Sequence, residues 1–199
     1  MGESKPDGIT PSQTVGPFFA YGLTPTGRYE WNDAFSNNLV TPDATGERIR
    51  IEGRVFDGDG QPVSDCMLEI WQADAQGRFA DPKDNRAMPN AKFRGFGRCG
   101  TNSNGGYAFD TIKPGSVPDP DGKPQAPHIL LAIFARGMLL HNYTRIYLDG
   151  EAANASDPVL ALVPHERRTT LMARRAPDGA VYRFDIHLQG DHETVFFEV

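Results

Sequence analysis

From Ile49 onward the chain is cut by turns into short stretches, each long enough for one strand and no more. Side chains alternate between the two faces of an extended strand, so residues two apart share a face. Arg50 to Phe56 alternates in this way, Asp57-Gly58-Asp59-Gly60-Gln61-Pro62 supplies a turn, and Met67-Leu68-Glu69-Ile70-Trp71 resumes. The same pattern predicts strands at 93–101, 106–111, 128–135, 143–148, 182–188 and 193–198. With 21 Gly and 16 Pro in 199 residues, turns are frequent and long helices few. One helical stretch is expected, with Asp157-Pro158 as N-cap and first turn and an Arg-rich run from Pro164 to Arg175. Residues 1–48 carry Phe18, Phe19, Tyr21 and Trp31 without periodicity, an irregular N-terminal arm that needs those aromatics buried to be ordered. The expected fold is all-β: an antiparallel β-sandwich over 49–199, with the irregular arm at 1–48 and a short helical insertion.

Composition removes several function classes. A net charge of −6 does not supply the basic face that nucleic-acid binding requires. No Ser stands in a nucleophile elbow, and neither a phosphate loop nor a dinucleotide fingerprint is present. Asp57 and Asp59 are turn residues, because the segment reaches Pro62 without the closing acid of a calcium loop. No apolar run approaches a membrane span, and the N-terminus has no apolar signal core, so no membrane partner is expected. Cys66 and Cys99, both in strand-like segments, read as reduced thiols of a cytoplasmic protein.

One strand looks like a metal site that has lost its chemistry. Gln125-Ala126-Pro127-His128-Ile129-Leu130 places His128 and Leu130 on one face. A His-x-His pair there would offer two imidazoles to one ion, but Leu130 coordinates nothing. A lone His is more often a hydrogen-bonded structural residue than a ligand.

Several segments in order carry a family resemblance: Leu68-Glu69-Ile70-Trp71-Gln72-Ala73-Asp74-Ala75-x-Gly77-x-Phe79, Phe96-Gly97-Arg98-x-x-Thr101, Tyr107-x-Phe109-x-Thr111-Ile112-Lys113-Pro114-Gly115, Ala126-Pro127-His128-Ile129 and Tyr182-Arg183-Phe184-Asp185-Ile186. Together they resemble the intradiol ring-cleavage dioxygenases. Members of that family hold a ferric ion with two Tyr phenolates and two His imidazoles, a hard donor set that suits Fe(III). Mapped onto this chain, Phe79 and Val117 stand at the two Tyr positions, His128 matches the first His and Leu130 replaces the second. Gln125 takes the place of an Arg that active members carry three residues before the first His. One ligand out of four cannot hold iron tightly.

The resemblance therefore implies a chain with no metal of its own and no catalytic residues in isolation. Its homologous partner, an iron-bearing beta chain, would carry the Fe(III) and cleave 3,4-dihydroxybenzoate with O2. The arm segment Thr10-Pro11-Ser12-Gln13-Thr14-Val15-Gly16-Pro17-Phe18 and the run Phe134-Ala135-Arg136-Gly137 resemble the iron-free chain type. On this reading Thr14, Gly16 and Pro17 form a wall of the partner's pocket, and Arg136 faces the substrate. Geometry supports the placement of Arg136. It lies six residues beyond Leu130, about 20 Å along an extended strand, too far to serve the pocket of its own chain. A fixed guanidinium also suits carboxylate recognition. A purely structural partner that never touches substrate is the alternative, and a self-contained binding module of sandwich type is a third.

Overall fold

A computed structural model describes residues 23–24, 36–86, 92–177 and 179–198. Its strands are β1 (Arg48–Phe56), β2 (Met67–Trp71), β3 (Phe96–Gly100), β4 (Gly106–Ile112), β5 (Val117–Pro118), β6 (Pro124–Gln125), β7 (His128–Phe134), β8 (Asn142–Leu148), β9 (Met172–Arg175), β10 (Val181–Arg183) and β11 (Ile186–His187). Alternation decides what each strand buries. Ile49, Ile51 and Val55 of β1 and Ile129, Leu131 and Ile133 of β7 point inward, each no more than 3% exposed. They meet Leu68, Ile70, Phe109, Tyr182 and Phe184 in one core.

The two face-to-face antiparallel sheets expected from the sequence are replaced by one mixed, nearly closed sheet. Nine strands join it in the order β11-β1-β10-β9-β8-β7-β2-β3, with β4 also paired to β1. β1 runs antiparallel to β4 but parallel to β10 and β11, and β8 runs parallel to β9. Periodicity reports which face of a strand is buried and says nothing about its lateral neighbour, so the closure was not readable. Closure of this kind removes sheet edges that two stacked sheets would leave open.

The strand expected at 182–188 is divided in two for a visible reason. The Phe184 carbonyl turns inward and accepts the Tyr107 hydroxyl at 2.6 Å. It does so over Gly53, where a Cβ would lie 1.9 Å from that oxygen. Arg54 N–H is taken up instead by the Asp185 carboxylate at 2.9 Å, and pairing with β1 resumes at Ile186. At 193–198, Phe197 makes a single bridge to Tyr143.

The helical insertion also differs from expectation. It consists of three 3₁₀ turns, Ala152–Ser156, Leu160–Leu162 and His165–Leu171, and the end of the expected helix is β9. Asp157 closes the first turn rather than opening a helix, and its carboxylate accepts from Val159 N–H at 3.0 Å and Leu160 N–H at 2.8 Å. These turns cover a second, smaller apolar cluster of Ala126, Tyr147, Leu160, Val163 and Leu171. No described helix is long and apolar enough to cross a membrane. Of the N-terminal arm, residues 1–22 and 25–35 lie outside the described residues.

Candidate functional site

Two of the four positions mapped from sequence, His128 and Leu130, share one face of β7, and a chain of contacts links the other two to it. Register sets Leu130 between Trp71 of β2 and Arg145 of β8. Phe79 stacks on Trp71, with ring centroids 6.0 Å apart and planes 9° from parallel. Val117 pairs with Gln125 across the short β5–β6 ladder. Gln125 Oε1 accepts from Arg145 Nη1 at 2.7 Å, which closes the circuit. The loops carrying Phe79 and Val117 are pressed together at Gly77, whose φ is +74°. A Cβ at that position would lie 1.9 Å from the Ser116 carbonyl oxygen, so the loops could not meet around any other residue.

His128 is buried, 7% exposed. Its Nδ1 is 2.8 Å from the Ala126 carbonyl, which can only accept, so Nδ1 carries the proton. Burial, and then the nearby Arg145 charge, push its pKa down to about 4, and the ring is neutral at pH 7. The Ala126 amide and the Tyr147 hydroxyl both donate to the buried Asp157 carboxylate, at 2.7 and 3.0 Å. Burial pushes the Tyr147 phenol upward, so it too stays protonated. Leu130 and Arg145 line a cleft of about 540 Å3, together with Trp71, Phe96, Tyr143 and Phe197 among others.

This donor set does not fit a ferric ion. Phe79, Val117 and Leu130 offer no electron pair, which leaves His128 Nε2 as one neutral ligand. A guanidinium stands beside it, where a cation would be repelled. Among the described residues no three of His, Cys, Asp and Glu gather in metal-binding geometry.

Arg136 lies elsewhere. β7 ends at Phe134, and Arg136 follows in an exposed turn with its Nε 2.9 Å from Asp65 Oδ2. Its side chain is 75% exposed. Thr14, Gly16 and Pro17 lie outside the described residues. Cys66 and Cys99 are free thiols, and burial pushes both up to about 12.

Comparison with known proteins agrees with this fold. The chain belongs to the dioxygenase family whose model matches residues 28–190, the intradiol ring-cleavage enzymes. It is 49% identical over 197 residues to the protocatechuate 3,4-dioxygenase alpha chain of Burkholderia cepacia, covering 96% of this chain and 97% of that one. It is 34% identical over 184 residues to the beta chain of the same organism's enzyme, covering 87% and 77%. The solved dioxygenase domain of a carbohydrate-binding fusion protein from Streptomyces sp. SirexAA-E superposes with a TM-score of 0.59 at 26% identity, covering 84% of this chain and 97% of that one.

Sequence reasoning missed Arg145, Tyr147, Asp65 and the reach of Asp157 to Ala126. Period two along β8 does put Tyr143, Arg145 and Tyr147 on one face, which was readable. That Arg145 meets Gln125 depends on the β7–β8 register, which was not.

Proposed function

We propose that this chain is the iron-free alpha subunit of a protocatechuate 3,4-dioxygenase, an O2-dependent intradiol enzyme converting 3,4-dihydroxybenzoate to 3-carboxy-cis,cis-muconate. The observation that carries the reading is that Phe79, Val117 and Leu130, which the resemblance maps to three iron-ligand positions, carry no donor atom, with Arg145 and Gln125 hydrogen-bonded beside Leu130. A chain so altered, yet 49% identical to an alpha chain, fits the half of a two-chain enzyme that holds no metal. The homologous beta chain is the partner. Its ferric ion supplies the activation of the bound catecholate, and this chain supplies surroundings. Thr14, Gly16 and Pro17 form a wall of the beta-chain pocket, and Arg136 presents a guanidinium to the substrate carboxylate. The cytoplasm is the compartment that suits two free thiols.

Arg136 is suited to this by exposure, since it follows the end of β7 with its side chain 75% exposed. In the assembled enzyme, Arg136→Ala is expected to lower kcat/KM for 3,4-dihydroxybenzoate by about ten- to a hundredfold, the loss of one charge-assisted hydrogen bond worth roughly 1.5–3 kcal/mol. Catechol, which has no carboxylate, is expected to lose far less, and iron in the beta chain is expected to stay. Steady-state kinetics with both substrates decide it. The Asp65 ion pair favours a second reading, in which Arg136 only fastens strand ends and the chain is a structural partner without substrate contact. Equal losses for both substrates would establish that reading.

A further inference from the structure

The last paired residues of β2 and β7 are Met67 and Phe134. Two residues further out along each strand are Asp65 and Arg136, so the register itself brings them opposite one another. Between them Cys66 and Ala135 point inward, 1% and 3% exposed, which keeps the outward phase intact. The two side chains are not equally placed. Asp65 is 32% exposed and Arg136 75%, so the carboxylate is seated in the fold and the guanidinium stands out from it. Contact is through Arg136 Nε. A guanidinium has a side edge that includes Nε and a terminal edge formed by its two Nη groups. A partner on Nε leaves the terminal edge open for a second carboxylate, which that edge can bind with two parallel hydrogen bonds. No described donor reaches the buried Asp65 Oδ1, so among the described residues Arg136 is the cation that answers this charge.

We propose that Asp65 is a positioning residue for substrate selection: it anchors Arg136 by its side edge and so aims the terminal edge at the carboxylate of an aromatic acid held by the partner subunit. This rests on the role assigned to Arg136 above. Positioning and simple charge balance have opposite signs here. Removing a negative charge beside Arg136 strengthens attraction for an anion if only the field matters, and KM for the acid falls. If Asp65 aims the guanidinium, its removal releases a long flexible side chain and KM rises.

The test uses the assembled alpha–beta enzyme with 3,4-dihydroxybenzoate and catechol. Asp65→Asn, which keeps size, is expected to raise KM for the acid about five- to tenfold with kcat nearly unchanged, and to leave catechol unaffected. Asp65→Glu, which keeps the charge, is expected to stay within about twofold of the parent enzyme. In an Arg136→Ala background, Asp65→Asn is expected to change nothing further. A lower or unchanged KM for the acid in Asp65→Asn, equal effects on both substrates, or full additivity with Arg136→Ala overturns the positioning role. If Arg136→Ala itself leaves the preference for the acid intact, the assignment of Arg136 fails, and this proposal falls with it.

Discussion

A neutral imidazole enclosed next to a guanidinium resists protonation, and His128 is held in that position by β7 and β8. Its pKa of about 4 lies below the ordinary value of 6.5. Between these two values the unfolded chain takes up a proton that the folded chain refuses. The contribution is therefore fully present above pH 6.5 and is lost as pH falls toward 4, to an extent of roughly 3 kcal/mol. His128→Gln retains a donor for the Ala126 carbonyl but does not titrate. Its stability is expected to vary much less between pH 7 and pH 4.5 than that of the parent chain, as measured by urea denaturation at a series of pH values. An unchanged slope would place the acid sensitivity in other groups.

At the scale of elements, the depleted pocket depends on two loops that meet at a glycine. Gly77 has a left-handed φ of +74° and leaves no room for a Cβ against the Ser116 carbonyl. Gly77→Ala thus combines backbone strain with a backbone clash. A loss of about 2–4 kcal/mol is expected, read by thermal or chemical denaturation, with the Phe79 and Val117 loops driven apart. A change below about 0.5 kcal/mol would show that the loops separate freely. Elements were legible where local pattern decides them. Alternation located β1, β2, β4, β7 and β8 within about two residues. What the pattern could not convey is lateral pairing. The parallel partners of β1, the conversion of the last helical turn into β9, and the meeting of Arg145 with Gln125 all depend on residues distant in sequence. The mapped ligand positions come from resemblance, and the structure adds the contacts around them: Phe79 stacks on Trp71 beside Leu130, and Val117 pairs with Gln125, which bonds Arg145.

At the scale of the whole molecule, the proposed function has two chains of one family divide a task. This one retains the scaffold, with a TM-score of 0.59 to a solved dioxygenase domain, and has an apolar and cationic filling where donors are needed. The purified chain is accordingly expected to contain far less than one iron per molecule after exposure to ferrous or ferric salts. It is also expected to lack the visible absorption that phenolate ligands give to a ferric ion. Metal analysis and a visible spectrum check this, and a stoichiometric, chelator-resistant iron would overturn the reading of the pocket. Co-expression with the beta chain is expected to bring iron and colour into the complex, in proportion to the beta chain.

The pairing of β1 with β10 and β11 also sets an order in time. β1 is made well before two of its neighbours, Val181–Arg183 and Ile186–His187. Until they emerge, the flank of β1 between Arg50 and Phe56 has no lateral partner. Tyr182, Phe184 and Ile186, all buried in the finished core, are missing from it as well. The growing chain therefore carries an open seam from the synthesis of β1 until that of β11. The surface built on both halves becomes available to a partner only after β10 and β11 have joined them.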